Sequence, residues 1–365
     1  MRHASLREPY LQTLRRKTDR PIPYFFSLCG SLAKKFKEQH GNVDYREYYD
    51  IPLREVFLRP TRLDLAKVYE NYVSPGEKDP ITEWGIVLRP GGGDSHFTRM
   101  EGPLENRRCL RDVLSLPLPD FLDDYRWEGV PETIAALKAD GKIVFPGIYG
   151  GHDSGCQAGD TPAFMDIFES SWYLCGLDNF LIGLAEEEEY ALALLDKVGG
   201  LKTELARRWT RAGVDILITA DDVGTQTGLM MSATMWRTHL KPRLKILYDA
   251  IRARGLNLAI HSCGDIAEFF PDIIELGVEV VHPIQPEAMD VAMLQREYGK
   301  DIVMYGGIGT QSTLIYGTPE DVVAQARTNL EIFSSGGYIL GPAGAISTDT
   351  KIENVVALTD FAMSL

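Results

Sequence analysis

Two short stretches of this sequence carry residue types that can do chemistry. His261-Ser-Cys263 sets an imidazole and a thiol two residues apart, and in an extended segment residues i and i+2 face the same way. Both side chains can therefore reach one soft or borderline ion such as Zn²⁺. The second stretch is Asp221-Asp222, which opens Asp-Asp-Val-Gly-Thr-Gln226. Neighbouring carboxylates can bind a metal, shift one another's pKa and act as acid or base, or cap the next helix by accepting backbone N–H bonds.

Other groups are less pointed. Glu169 sits among aromatics in Asp166-Ile-Phe-Glu-Ser-Ser-Trp-Tyr173. It is either a solvated helix residue or one that projects into an aromatic-walled pocket. His152, Asp153 and Cys156 follow in a glycine-rich loop that suits a pocket edge better than a metal site. Glu186–Glu189 reads as an exposed helix start, and Met230, Met231 and Met235 as core at near-helical spacing.

The elements that must position these groups become regular after Asp140. Short apolar strands are predicted at Lys142–Tyr149, Asp215–Ala220, Asn257–His261, Val278–Pro283, Asp301–Gly306 and Tyr338–Leu340. Helices are predicted between them at Met235–Arg254, Ile266–Leu276 and Pro319–Phe333. Apolar strands alternating with helices imply parallel pairing with both faces covered. Pro21–Leu28 makes a seventh strand. The eighth has room in the irregular stretch from Ala33 to Asp140, which reads as an elaboration over one end and holds a hairpin near Trp84–Gly93. Ser5–Arg16 reads as an amphipathic helix with Leu6, Leu11 and Leu14 inward.

No G-x-G-x-x-G follows the first strand, which removes the common dinucleotide-binding version of an open sheet. The prediction is a (β/α)8 TIM barrel in one domain, residues 1–365. Active sites of such barrels lie at the C-terminal strand ends. Here those ends run into Asp221–Gln226, His261–Asp265, His282-Pro-Ile-Gln-Pro-Glu287, Gly306–Gln311 and Gly341–Ser347. Asp221, Asp222 and His261 are the catalytic candidates, and Glu169, Gln226, Gln285 and Glu287 the substrate contacts.

Net charge is −14, with no run of Lys or Arg, which excludes electrostatically driven nucleic-acid binding. The Arg-containing N-terminus lacks an apolar signal core, and no apolar stretch is long enough to span a membrane. Five scattered cysteines form no disulfide framework and point to a reducing compartment. The expectation is a cytoplasmic protein without membrane or nucleic-acid partners.

The ordered motifs Asp221–Ser232, Lys241-Pro-Arg, His261-Ser-Cys-Gly, Val281–Asp290, Gly306–Gln311 and Thr350–Asn354 resemble the uroporphyrinogen-decarboxylase superfamily, with a fainter match at Leu14–Pro23. The resemblance covers most of the chain and implies a (β/α)8 barrel and, with it, a homodimer. Its decarboxylases carry a Met-Arg-Gln-Ala-Gly-Arg signature, where this chain reads Tyr24-Phe-Phe-Ser-Leu-Cys-Gly30. Its other branch transfers methyl groups to or from corrinoid proteins and uses zinc on His-x-Cys plus a third ligand near the C-terminus. His261 and Cys263 match the first two ligands, whereas Gly344 stands where the third is expected. Either Asp221, Asp222, Glu169 or Glu287 completes such a set, or the metal is absent and His261 acts as an acid or base.

The longer Asp-Asp-x-Gly-Thr-Gln motif resembles the methoxy-compound methyltransferases. The resemblance therefore implies O-demethylation of a small methylated substrate, with Zn²⁺ bound and a corrinoid carried by a partner protein. The alternatives are a tetrapyrrole decarboxylase and a non-catalytic corrinoid- or tetrapyrrole-binding protein.

Overall fold

A computed structural model describes residues 7–14, 23–28, 30–77, 79–90, 98–147, 166–344, 346 and 349–365. The loop with His152, Asp153 and Cys156, and also Ser347, lies outside the described residues. Seven barrel strands are formed: β1 (Leu53–Val56), β2 (Ile143–Pro146), β3 (Ile216–Ala220), β4 (Asn257–His261), β5 (Val280–Ile284), β6 (Val303–Ile308) and β7 (Tyr338–Pro342). Strands β3 to β7 pair in parallel in sequence order, and β1 pairs in parallel with β2. The Asp215 amide bonds to the Val144 carbonyl and ties β2 to β3.

The eighth wall is the segment 23–28. It reaches β7 through a parallel bridge between Tyr24 and Leu340 and bonds from the Phe25 amide to Leu340 and the Leu340 amide to Pro23. Its proline-rich start removes ladder donors, which explains why it forms bridges and not a full strand. Together these elements make a (β/α)8 TIM barrel. The predicted strands after Asp140 all recur within a few residues, and the strand missing from the irregular stretch is β1. That stretch also holds the hairpin, Val87–Pro90 against Thr98–Glu101.

Both faces of the strands from β2 to β7 are largely buried, and most of them read as nearly continuous apolar runs, whereas β1 carries Arg54 and Glu55. Alternation sends Leu53, Phe145, Ile216, Ala259, Val280, Tyr305 and Ile339 into the barrel, where they form one apolar cluster. The helix α1 (Arg7–Leu14) closes the barrel floor and adds Tyr10 and Leu14 to this cluster. Leu11 packs beside it, and Leu6 lies outside the described residues. Arg7 locks α1 at the N-terminal strand ends through Asp215 at 3.2 Å and the Lys142 carbonyl.

Three outer helices bear on the site: α2 (Ile167–Cys175), α3 (Glu189–Ala212) and α4 (Lys241–Arg252). Among the described residues no helix is long and apolar enough to cross a membrane.

Candidate metal centre

Alternation along β3 decides which of the paired aspartates faces inward. Ile216 and Ile218 line the barrel interior, so two residues per step brings Asp222 to the inner rim and turns Asp221 outward. Asp221 is buried there and accepts hydrogen bonds from the Phe168 and Glu169 amides at 3.0 and 2.7 Å. It serves the first turn of α2 as a cap. Burial, with Asp166 and Glu169 near it, raises its pKa well above the ordinary carboxylate value.

On β4 the same alternation carries Ala259, His261 and Cys263 to one face. The ligating atoms of Asp222, His261 and Cys263 lie within 4.8 Å of one another. Cys263 Sγ is 3.4 Å from His261 Nε2, and Asp222 Oδ1 is 3.7 Å from the same nitrogen. The Cys263 amide donates to Asp222 Oδ1 at 2.7 Å and orients the carboxylate.

Gly264 makes this convergence possible. Its φ of +82° suits only glycine, and a Cβ there would meet the Gly224 carbonyl carbon at 2.5 Å. The loop after β4 thus lies directly against the loop after β3.

His282 on β5 is a neighbour of these residues that sequence reasoning did not select. It is the cross-strand partner of His261, and the two Nδ1 atoms are 2.8 Å apart. Its ring stacks on Tyr305 at 4.1 Å. Burial lowers the pKa of both histidines, well below the ordinary value for His282, so both are neutral at pH 7. His282 Nε2 is buried without a hydrogen bond of ordinary geometry, and the Pro342 carbonyl is the acceptor beside it.

Glu169 is a buried residue of α2, 4% exposed, with Oε2 accepting from the Asp222 amide at 3.0 Å and Oε1 from the Tyr173 hydroxyl at 3.1 Å. Of its two sequence readings, the solvated one is excluded. Burial, then the charge of Asp222, pushes its pKa up to about 7. Burial raises the Cys263 thiol to about 12, with Asp222 adding to the shift.

The remaining rim candidates order loops. Gln285 donates to Gln226 Oε1 at 3.2 Å and accepts from the Gly264 amide at 3.0 Å. Glu287 accepts from the Gln311 amide and the Ser312 hydroxyl at 3.1 and 2.7 Å. Gly344 lines the barrel interior with φ +144°, and among the described residues a Cβ there would have only Thr310 Oγ1 near it, at 3.6 Å. The position expected to supply a third ligand carries no side chain.

Behind the rim, Lys202 of α3 is buried near Asp166, Asp221 and Glu169, and desolvation lowers its pKa to about 7. Asp166 accepts from the Tyr248 hydroxyl of α4 at 2.7 Å. Helical spacing from Val198 to Trp209 places Lys202 on the apolar face of α3, a signal that was present in the sequence.

The fold recurs in known proteins. It aligns with a methyltransferase from Methanosarcina mazei with TM-score 0.66 and 16% identity, over 99% of this chain and 98% of that one. A weaker likeness, TM-score 0.42 and 13% identity over 64% of this chain and 66% of the other, is to a B12-independent methionine synthase from Shewanella sp. in complex with selenomethionine. No curated protein matches the sequence. Residues 168–365, which contain Asp222, His261, Cys263 and His282, match the family described as Uroporphyrinogen decarboxylase (URO-D). A match over more than half of the chain, on this barrel and these strand ends, makes the protein a member of the uroporphyrinogen decarboxylase family.

Proposed function

We propose that this family member is a methyltransferase that moves a methyl group from a small methoxylated (O-methyl) compound to the cobalt of a corrinoid carried by a partner protein. The observation that carries the reading is the convergence of Asp222, His261 and Cys263 on one point of the inner rim. A carboxylate, a neutral imidazole and a thiol that ionises on binding are a fitting donor set for Zn²⁺, with one position left for substrate. The fold shared with a methyltransferase supports the reading.

Asp222, His261 and Cys263 would hold the ion, which when bound supplies Lewis-acid polarisation of an ether oxygen. The protein's own residues prepare that site. Cys263 N–H fixes the Asp222 carboxylate, and Glu169 Oε2 fixes the Asp222 backbone. Glu169, whose pKa burial and then the Asp222 charge push up to about 7, can keep a proton directly behind Asp222 in the metal-free site. Gln226 and Gln285 brace the Gly264 loop and thereby Cys263.

The test combines metal content with turnover. The purified chain is expected to contain about one zinc, with His261→Ala/Cys263→Ala containing none. Mixed with reduced corrinoid protein and a panel of methoxylated compounds, it should yield the methylated corrinoid spectrum. Absence of that spectrum with a fully loaded protein overturns the reading. Loss of carboxyl groups from uroporphyrinogen would move the decarboxylase alternative ahead.

A further inference from the structure

Among the described residues, the barrel interior is not filled by side chains. In most (β/α)8 barrels inward side chains fill the lumen in layers. Here a cavity of about 170 Å³ runs from Tyr10 and Leu14 on the floor to His261, His282 and Gly344 at the rim. Two features leave this space. Ala259 occupies an inward position at which the other strands carry larger side chains, Val280 and Ile218 beside it among them. Tyr305, the largest inward side chain on the strands, lies along the wall. Its ring stacks on His282, its hydroxyl donates to the Phe25 carbonyl at 3.0 Å, and a Cβ on Gly341 would meet its Cε2 at 2.4 Å, so glycine there lets the ring pass.

The wall chemistry selects the ligand. Most of the lining is aliphatic or aromatic, including Phe25, Phe145, Ile218 and Ile339. Two charged side chains line the wall: Arg46 is matched by Asp44 through hydrogen bonds of 3.1 and 2.7 Å, and Glu55 lies within reach of the Arg46 charge and has a partner of its own, so neither leaves an unmatched charge for an ion. An unpaired charge would be costly in such a lumen. A dry cavity of about 150 Å³ lined by Leu, Ile and Phe admits benzene, which sets the scale.

We propose that the lumen binds a neutral single-ring aromatic molecule, stacked among Phe25, Phe145 and Tyr305, with its substituent directed at His261. As the seat for the non-reacting body of the methyl donor, the site rests on the methyltransferase reading. As a binding site it does not.

Fluorobenzene, followed by ¹⁹F NMR with the full chain alone, tests the inference. Saturable binding is expected, weakened at least about tenfold by Ala259→Leu. Ile339→Ala enlarges the lumen and is expected to admit 1-fluoronaphthalene, which the native protein excludes, so the test survives a misfolded Ala259→Leu. Non-saturable binding, or a folded Ala259→Leu with native affinity, overturns the inference. Saturable, lumen-dependent binding in a protein that transfers no methyl group upholds the site and removes the methyltransferase reading. Methyl transfer with a KM unmoved by either substitution does the reverse.

Discussion

His261 Nδ1 and His282 Nδ1 face each other at 2.8 Å across adjacent strands. Two neutral imidazoles can share that contact only if one carries its proton on Nδ1. When His261 offers Nε2 as a ligand, its own Nδ1–H is the donor and His282 the acceptor. Such outer partners fix ligand tautomer and orientation, and their loss costs about 10- to 100-fold in metal affinity. His282→Ala is expected to weaken zinc binding by that factor, read by chelator competition, with an unchanged circular dichroism spectrum. Native affinity in the variant would remove His282 from the site.

The paired aspartates separate cleanly by face. On the proposed reading, Asp222→Asn is expected to weaken metal binding by more than about 100-fold, because Asp222 would be a ligand and not merely an outer partner. Asp221→Ala strips two buried amides of their acceptor and should cost about 2 to 4 kcal/mol of stability, leaving metal affinity intact. Urea denaturation of the apo chain beside metal titration checks both. Equal metal loss in the two variants would contradict the assignment.

Proton release reports on Cys263. Its thiol, raised to about 12 by burial first and Asp222 second, is protonated in the metal-free protein at pH 7, while His261 is neutral. A metal that takes the thiolate must displace one proton, so affinity should rise about tenfold per pH unit near neutrality. Calorimetry in buffers of different ionisation enthalpy should give one proton per ion. Zero protons would mean that Cys263 is not a ligand.

Acid stability should depend on the floor of the barrel. Burial raises the Asp215 pKa, but hydrogen bonds from Arg7, Val144 and Lys138 outweigh it and hold the carboxyl below its ordinary value. A depressed folded-state pKa contributes stability that is complete above the unfolded value near 4 and is lost as pH falls through the folded one. Asp215→Asn is expected to lose about 1 to 3 kcal/mol at pH 7 and to show a flatter decline below pH 5. Parallel acid-denaturation curves for the two proteins would refute this role.

The barrel was legible wherever both strand faces are apolar, as in Ile216–Ala220 and Val303–Ile308. It was obscure in Leu53-Arg-Glu-Val56, where four residues with two charges resemble a loop. His261 and Cys263 announce themselves by spacing within one strand. The choice of Asp222 over Asp221 was available from alternation with Ile216 and Ile218. His282 was not legible, because its contact with His261 depends on the register between two strands. Nor was the hollow lumen, since Tyr305 reads as a filling side chain until its ring is seen against Gly341.

The helix under the barrel fixes the order of events. On the proposed reading, with Tyr10 and Leu14 at the lower end, the lumen exchanges its contents through the rim that a bulky partner would also cover. A small molecule has to board before the partner docks, and its remnant has to wait until the partner leaves. On the proposed reading, kinetics should therefore be strictly sequential, with excess partner acting as an inhibitor of loading.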